Sequence, residues 1–169
     1  MMKRLHIVGG KNHGKTTLVV DLVQAFVARG IRVGTIKHTH HRHELDVPGK
    51  DSFRHREAGA SAVGILSPTL SAMFIPTEPD SNATSDRYAA FAPLFAHCEL
   101  VLVEGDSQAN SPKIEVWRAA VGTTPLAQND NSILAIVTDD ELSLPTRTPT
   151  LSRSNADQIA EWILYNARR

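Results

Sequence analysis

Apolar and polar positions along the chain fall into short blocks with different periods. Residues 5–8 form an apolar run that ends at Gly9 and reads as a short buried strand. From Thr16 to Arg29, Leu18, Val19, Leu22, Val23, Phe26 and Val27 recur at helical spacing, and Gly30 stands where such a helix ends. Residues 31–36 read as a second strand. Strand, turn, helix and strand in this order make a βαβ unit, which implies parallel strands covered by helices. Residues 53–60 predict a short helix. Residues 62–66 and 72–75 flank Ser67-Pro68-Thr69-Leu70 and predict two strands joined by a turn. Residues 86–97 read as a helix with Tyr88, Phe91, Leu94 and Phe95 on one face. Residues 100–103, 114–117 and 133–137 are further strands. A closing helix over residues 155–166 turns Ile159, Trp162, Ile163 and Tyr165 toward the core.

Composition narrows the partners. The chain carries 18 basic and 18 acidic residues, so no broad electropositive surface for nucleic acid or a membrane is expected. No stretch approaches the roughly 18 apolar residues of a spanning helix. The first residues are too short in apolar content for a signal-peptide core, and a cytoplasmic location is expected. Cys98 is the one cysteine; it precedes an apolar strand and reads as a buried, inert thiol. Composition is even along the chain, which predicts a single domain over residues 1–169.

The turn after the first strand carries the strongest chemical signal. Gly9-Gly10-Lys11-Asn12-His13-Gly14-Lys15-Thr16 fits glycine, any four residues, glycine, lysine, then serine or threonine. Glycines let successive N–H groups point inward at phosphate oxygens, and the following helix adds its positive end. Lys15 neutralises β- and γ-phosphates, and the Thr16 hydroxyl is a ligand for Mg²⁺. His13 reads as turned to solvent, with phosphate contact as the alternative. An acidic residue at the end of a neighbouring apolar strand completes such a site, and Leu100-Val101-Leu102-Val103-Glu104-Gly105 supplies Glu104. Its carboxylate can hold the magnesium shell or orient an attacking water. The expected fold is therefore α/β: a P-loop NTPase three-layer α/β/α arrangement, its mostly parallel sheet interrupted by a β-hairpin insertion.

The loop after the second strand is rich in histidine: four of the eight histidines lie in residues 38–43. Clustered imidazoles suggest zinc, but the spacing does not fit a fixed structural site and no cysteine is nearby. Asp46 and Asp51 are candidate carboxylates for the Mg²⁺ shell, and Lys50, Arg54 and Arg56 could receive an anionic group.

The string Ile36-Lys37-His38-Thr39-His40-His41, then Asp46-Val47-Pro48-Gly49-Lys50-Asp51-Ser52 and Arg56-Glu57-Ala58-Gly59-Ala60, resembles the MobB family of molybdopterin-guanine dinucleotide biosynthesis adapter proteins. The P-loop followed by Thr17-Leu18, the segment from Leu100 to Gly105 and the run from Ile133 to Asp139 extend the resemblance over nearly the whole chain. It implies GTP and Mg²⁺ as ligands, with Thr17 joining residues 9–16 at the phosphates. It also implies a homodimer that assists the molybdenum cofactor guanylyltransferase, the enzyme joining GMP to molybdopterin, with weak GTP hydrolysis of its own. Thr138 and Asp139 would lie at the base end, where a carboxylate accepts from guanine N1–H and the exocyclic amine; a helix-start cap is the other reading of this pair. One position departs from the family, in which Phe-Lys commonly follows the strand-end Glu-Gly. Here Asp106-Ser107 follows, and Lys113 is the residue that could restore the missing charge. A small-molecule kinase is the competing function, but the arginines after residue 100 are too scattered for the lid a kinase needs.

Residues 38–51 are expected to act at the triphosphate or cofactor site and not as a structural zinc centre. Purified, tag-free protein should hold well below one zinc per chain, and chelation should leave its melting temperature nearly unchanged.

Overall fold

The computed structural model describes residues 2–41, 43–76, 86–142 and 147–166. It divides into two compact units, Met1–Thr39 with Tyr88–Arg169, and His40–Arg87.

The larger unit is built on a six-stranded parallel sheet. Its strands are β1 (Arg4–Val8), β2 (Val33–Lys37), β5 (Leu100–Glu104), β6 (Lys113–Val116), β7 (Ile133–Val137) and β8 (Thr150–Leu151), in the spatial order β2-β5-β1-β6-β7-β8. The smaller unit contributes α2 (Asp51–Glu57), β3 (Val63–Leu66) and β4 (Ser71–Phe74). The α-helices of the larger unit are α1 (Lys15–Ala28) and α3 (Ala156–Asn166).

β1, β5 and β6 read as unbroken apolar or buried runs because both faces of the sheet are covered. Leu5, Ile7, Leu102, Ile114 and Val116 pack with Leu18, Leu22 and Phe26 of α1 and Ile159 and Ile163 of α3 in one core. α1 and α3 are tied at the rim, where the Arg29 guanidinium donates to the Asp157 carboxylate at 2.7 Å. On the other face, Val101 and Val103 meet Tyr88, Phe95 and Cys98, while Val8 and Ile136 meet Trp117 and Ala127. Within the smaller unit the hairpin is antiparallel, with Val63 opposite Phe74 and Leu66 opposite Ser71, as its turn residues predicted.

Three expectations are corrected. Residues 86–97 form no α-helix: a 3₁₀ turn at Ala89–Phe91 continues as further tight turns. Pro93 sits in the middle of the segment and has no N–H to donate, so the ladder of i to i−4 bonds cannot run through it. Tyr88 alone of the four proposed face residues is buried, at 4% exposure. Tyr165 is 61% exposed, on the outer side of α3. Cys98 is only half-buried, at the edge of the Tyr88 cluster. The strand β8 went unread, because two residues cannot show a period.

His6 is fully buried in β1 on the face opposite α1, edge-on to Tyr88 with ring centroids 5.3 Å apart. Its Nδ1 lies 3.3 Å from the Gly105 carbonyl, while Nε2 has no partner among the described residues. Burial pushes its pKa down, against opposing pulls from the Gly105 carbonyl and Asp106. The unfolded chain therefore binds a proton that the folded chain refuses. Stability contributed by the neutral ring is present above about pH 6.5 and is lost as pH falls below it. Thermal or urea melts at pH 7.5 and pH 5.5 should show this loss, and His6→Phe should shrink it.

Candidate functional site

β1 delivers its carboxyl end between two neighbours: Ile7 is paired with Glu104 of β5 and Val8 with Glu115 of β6. The chain then turns at Gly9, whose φ is +140°. A Cβ there would lie 2.4 Å from the Val116 carbonyl oxygen, so the loop can pass β6 only as glycine. Gly14 closes the loop in the left-handed region, at φ +90°, and α1 begins at Lys15. Among the described residues no side chain caps this helix, and its first turn carries no acidic residue. Its unpaired N–H groups and positive end are left for an anion.

Lys15 folds back over the loop and donates to the carbonyls of Gly9 at 2.9 Å and Gly10 at 2.7 Å. Burial lowers its pKa, Glu104 opposes that shift and Lys37 adds to it. The Thr16 hydroxyl donates to Glu104 Oε1 at 2.7 Å. The Lys37 ammonium stands 3.6 Å from the same oxygen. Thr16, Glu104, Lys15 and Lys37 thus come together at the carboxyl ends of three adjacent strands, from positions far apart in the chain.

Two oxygens of this kind suit magnesium. Mg²⁺ takes hard oxygen ligands at about 2.0–2.1 Å in an octahedron, which sets neighbouring ligand oxygens about 3 Å apart. The separation of the Thr16 and Glu104 oxygens is near that figure. Asp51 opens α2 and is exposed, in the other unit. Asp46 is buried and already engaged: its Oδ1 accepts from the Val47 N–H at 2.8 Å and the Ser52 hydroxyl at 2.9 Å. Arg56 is paired with Glu44 at 2.6 Å.

His13 is the main correction at the loop. It is 1% exposed and does not face solvent. Its Nδ1 accepts the Arg118 N–H at 2.9 Å, which makes Nε2 the protonated nitrogen, 3.0 Å from the Thr123 hydroxyl. Burial, helped by the charges of Lys15 and Arg118, lowers its pKa and keeps the ring neutral. His13 therefore ties the loop to residues 118–123, a role that a position open to any residue in the motif gives no hint of. Lys11, Asn12, Thr16 and Thr17 are exposed.

At the far end, Thr138 is buried and its hydroxyl accepts the Asp140 N–H at 3.0 Å. Asp139 is exposed and accepts the Ser152 hydroxyl at 2.6 Å and the Ser154 N–H at 3.2 Å. The Ser152 bond leads the causes that hold its pKa below the usual carboxylate range, so it stays an ionised acceptor. Asp140 Oδ2 takes the Ala119 N–H at 2.8 Å. Asp106 does not substitute for a lysine: it is buried and accepts the Tyr88 hydroxyl at 2.7 Å. Lys113 does not restore the charge either, since its ammonium is buried against Asp130 at 3.1 Å and Ser132 at 2.6 Å. Sequence reading missed Arg118, which passed for one scattered arginine. Its guanidinium lies against Gly14.

Residues 4–139 match the family described as Molybdopterin guanine dinucleotide synthesis protein B, MobB. The chain belongs to that family. The molybdopterin-guanine dinucleotide biosynthesis adapter protein of Escherichia coli (strain K12) is 34% identical over 166 residues, covering 96% of this chain and 94% of that protein. The adapter protein of the same description from Haemophilus influenzae is 38% identical over 161 residues, covering 94% and 88%. The crystal structure of a MobB protein homolog from Bacillus stearothermophilus superposes with a TM-score of 0.67 at 27% identity, covering 99% of each chain. The MobB match spans the loop, Glu104 and Asp139, and ends before β8 and α3.

Truncating His13 would remove a buried ring and leave the Arg118 N–H and the Thr123 hydroxyl without their partner. His13→Ala should lower the unfolding free energy by ~1–3 kcal/mol in urea titrations, whereas Lys11→Ala, at an exposed position with no positive φ, should change it much less.

Proposed function

We propose that this protein is a GTP- and Mg²⁺-binding adapter in the synthesis of molybdopterin-guanine dinucleotide. In this role it assists the guanylyltransferase that joins GMP to molybdopterin. The observation that carries the nucleotide reading is the meeting of Thr16 with Glu104 at 2.7 Å beside an uncapped helix start and Lys15. The loop N–H groups and Lys15 would hold the β- and γ-phosphates, Lys15 exchanging its two carbonyl partners for phosphate oxygens. Thr16 and Glu104 would supply the metal with protein oxygens, the ion neutralising charge that builds on the phosphates. Glu104 could also orient a water, which supports slow hydrolysis and leaves the adapter role primary.

Asp139 is the residue assigned to guanine. Serine donors hold its Oδ1 and keep it ionised, and a charged acceptor favours guanine, whose N1–H and exocyclic amine form an adjacent pair of donors that adenine lacks. A homodimer is supported by the hairpin, on which Leu66 is 88% and Met73 56% exposed, together with Leu70 at 73% in its turn. A two-stranded hairpin is marginal alone, and apolar groups of this size are commonly covered by a second surface. The balanced charge and the lack, among the described residues, of a helix long and apolar enough to cross a membrane agree with work in the cytoplasm.

Calorimetric titration tests the reading. GTP with Mg²⁺ should bind more tightly than ATP with Mg²⁺, and Lys15→Ala should abolish detectable binding while the melting temperature holds. Asp139→Ala should bring the GTP and ATP affinities closer together. Near-normal GTP affinity in folded Lys15→Ala would falsify the phosphate site; equal wild-type affinities for GTP and ATP would remove the guanine assignment alone.

A further inference from the structure

The side chain of Arg118 is laid flat on the phosphate loop. From the position a Cβ would occupy on Gly14, Arg118 Nη2 is 3.2 Å away, Cζ 3.4 Å and Nε 3.5 Å. Three atoms of one plane at nearly the same distance mean that the guanidinium meets Gly14 broadside, not through an edge. Arg118 is exposed, and the face of the guanidinium turned away from Gly14 is the one a ligand would meet. Among the described residues its side chain has no hydrogen bond or ion pair that would account for this placement.

Its backbone is held from two sides. The Arg118 N–H is bound by buried His13 at 2.9 Å, and the next N–H, of Ala119, is bound by Asp140 Oδ2 at 2.8 Å. One anchor belongs to the phosphate loop and the other is the immediate neighbour of Asp139. The arginine is thus fixed between the phosphate end and the base end of the site. A guanidinium is planar, weakly hydrated and permanently charged, and it stacks on aromatic rings.

We infer that Arg118 is a platform on which the purine ring of the bound nucleotide stacks, sandwiching the guanidinium between the base and Gly14. This rests on the proposal that the loop binds a nucleoside triphosphate. It assigns Arg118 a part distinct from that of Asp139. Stacking does not distinguish guanine from adenine, so Arg118 sets the affinity for any purine nucleotide while Asp139 sets the choice between them. It also accounts for the glycine at position 14 beyond its backbone angle, since a side chain there would push the platform away.

The test compares ligands with and without a base on the full chain. Wild type, Arg118→Ala and Arg118→Lys are titrated with GTP, ATP and inorganic tripolyphosphate, each with Mg²⁺. Arg118→Ala should weaken GTP and ATP by a similar factor, roughly 5- to 30-fold, leaving their ratio and the tripolyphosphate affinity unchanged. Arg118→Lys should keep most of the loss, because lysine retains the charge without the plane. Equal weakening of GTP and tripolyphosphate, or full rescue by lysine, would make Arg118 a phosphate cation and overturn the stacking role. Unchanged GTP binding in Arg118→Ala would overturn it too. A wild type that binds neither GTP nor tripolyphosphate would instead overturn the nucleotide reading on which it rests.

Discussion

The parallel pairing of β1 between β5 and β6 is the constraint on which the site depends. It fixes where the chain leaves the sheet, and therefore where the loop must turn under the Val116 carbonyl. The same register sets Glu104 level with Ile7 and Lys37, so its carboxylate arrives beside Thr16 without any local contact along the sequence. Because both faces of these strands are covered, the sheet cannot slip without exposing apolar side chains. Site geometry is in this sense a by-product of core packing. The buried core of Leu5, Ile7, Leu102 and Ile114 against α1 and α3 holds two oxygens within hydrogen-bond reach at the sheet's edge.

Much of this was legible in the residues. Long apolar runs gave the central strands to within a residue or two, and the 3.6-residue period from Leu18 to Phe26 gave α1. The loop was legible because its motif encodes backbone geometry: glycines at 9 and 14 are required by positive φ angles. Other features were hidden for physical reasons. Tyr88, Phe91, Leu94 and Phe95 have helical spacing, yet Pro93 breaks the hydrogen-bond ladder among them.

The partners of the site were harder to read than its frame. His13 looked solvent-facing because the motif leaves its position open, and only the tertiary fold brings Thr123 and the Arg118 backbone to it. Lys113 could be imagined near the phosphates until burial beside Asp130 and Ser132 fixed it elsewhere. Glu115 is another case. A carboxylate in a strand suggests an exposed face, but this one is 1% exposed and accepts the backbone N–H groups of Leu126 and Ala127. It caps a short 3₁₀ turn from across the chain, a contact with no local signature.

The buried histidine inside the loop has a kinetic consequence. A glycine-rich loop with no internal tether samples many shapes, and a ligand must wait for, or impose, the one that binds. Here the imidazole fastens the middle of the loop to residues 118–123 at two atoms, so the cradle holds its shape through the core. Less conformational entropy is then lost on association, and encounter with the phosphates can approach a rate set by diffusion and electrostatic attraction. Differences in affinity among nucleotides would appear mainly as differences in how long each one stays.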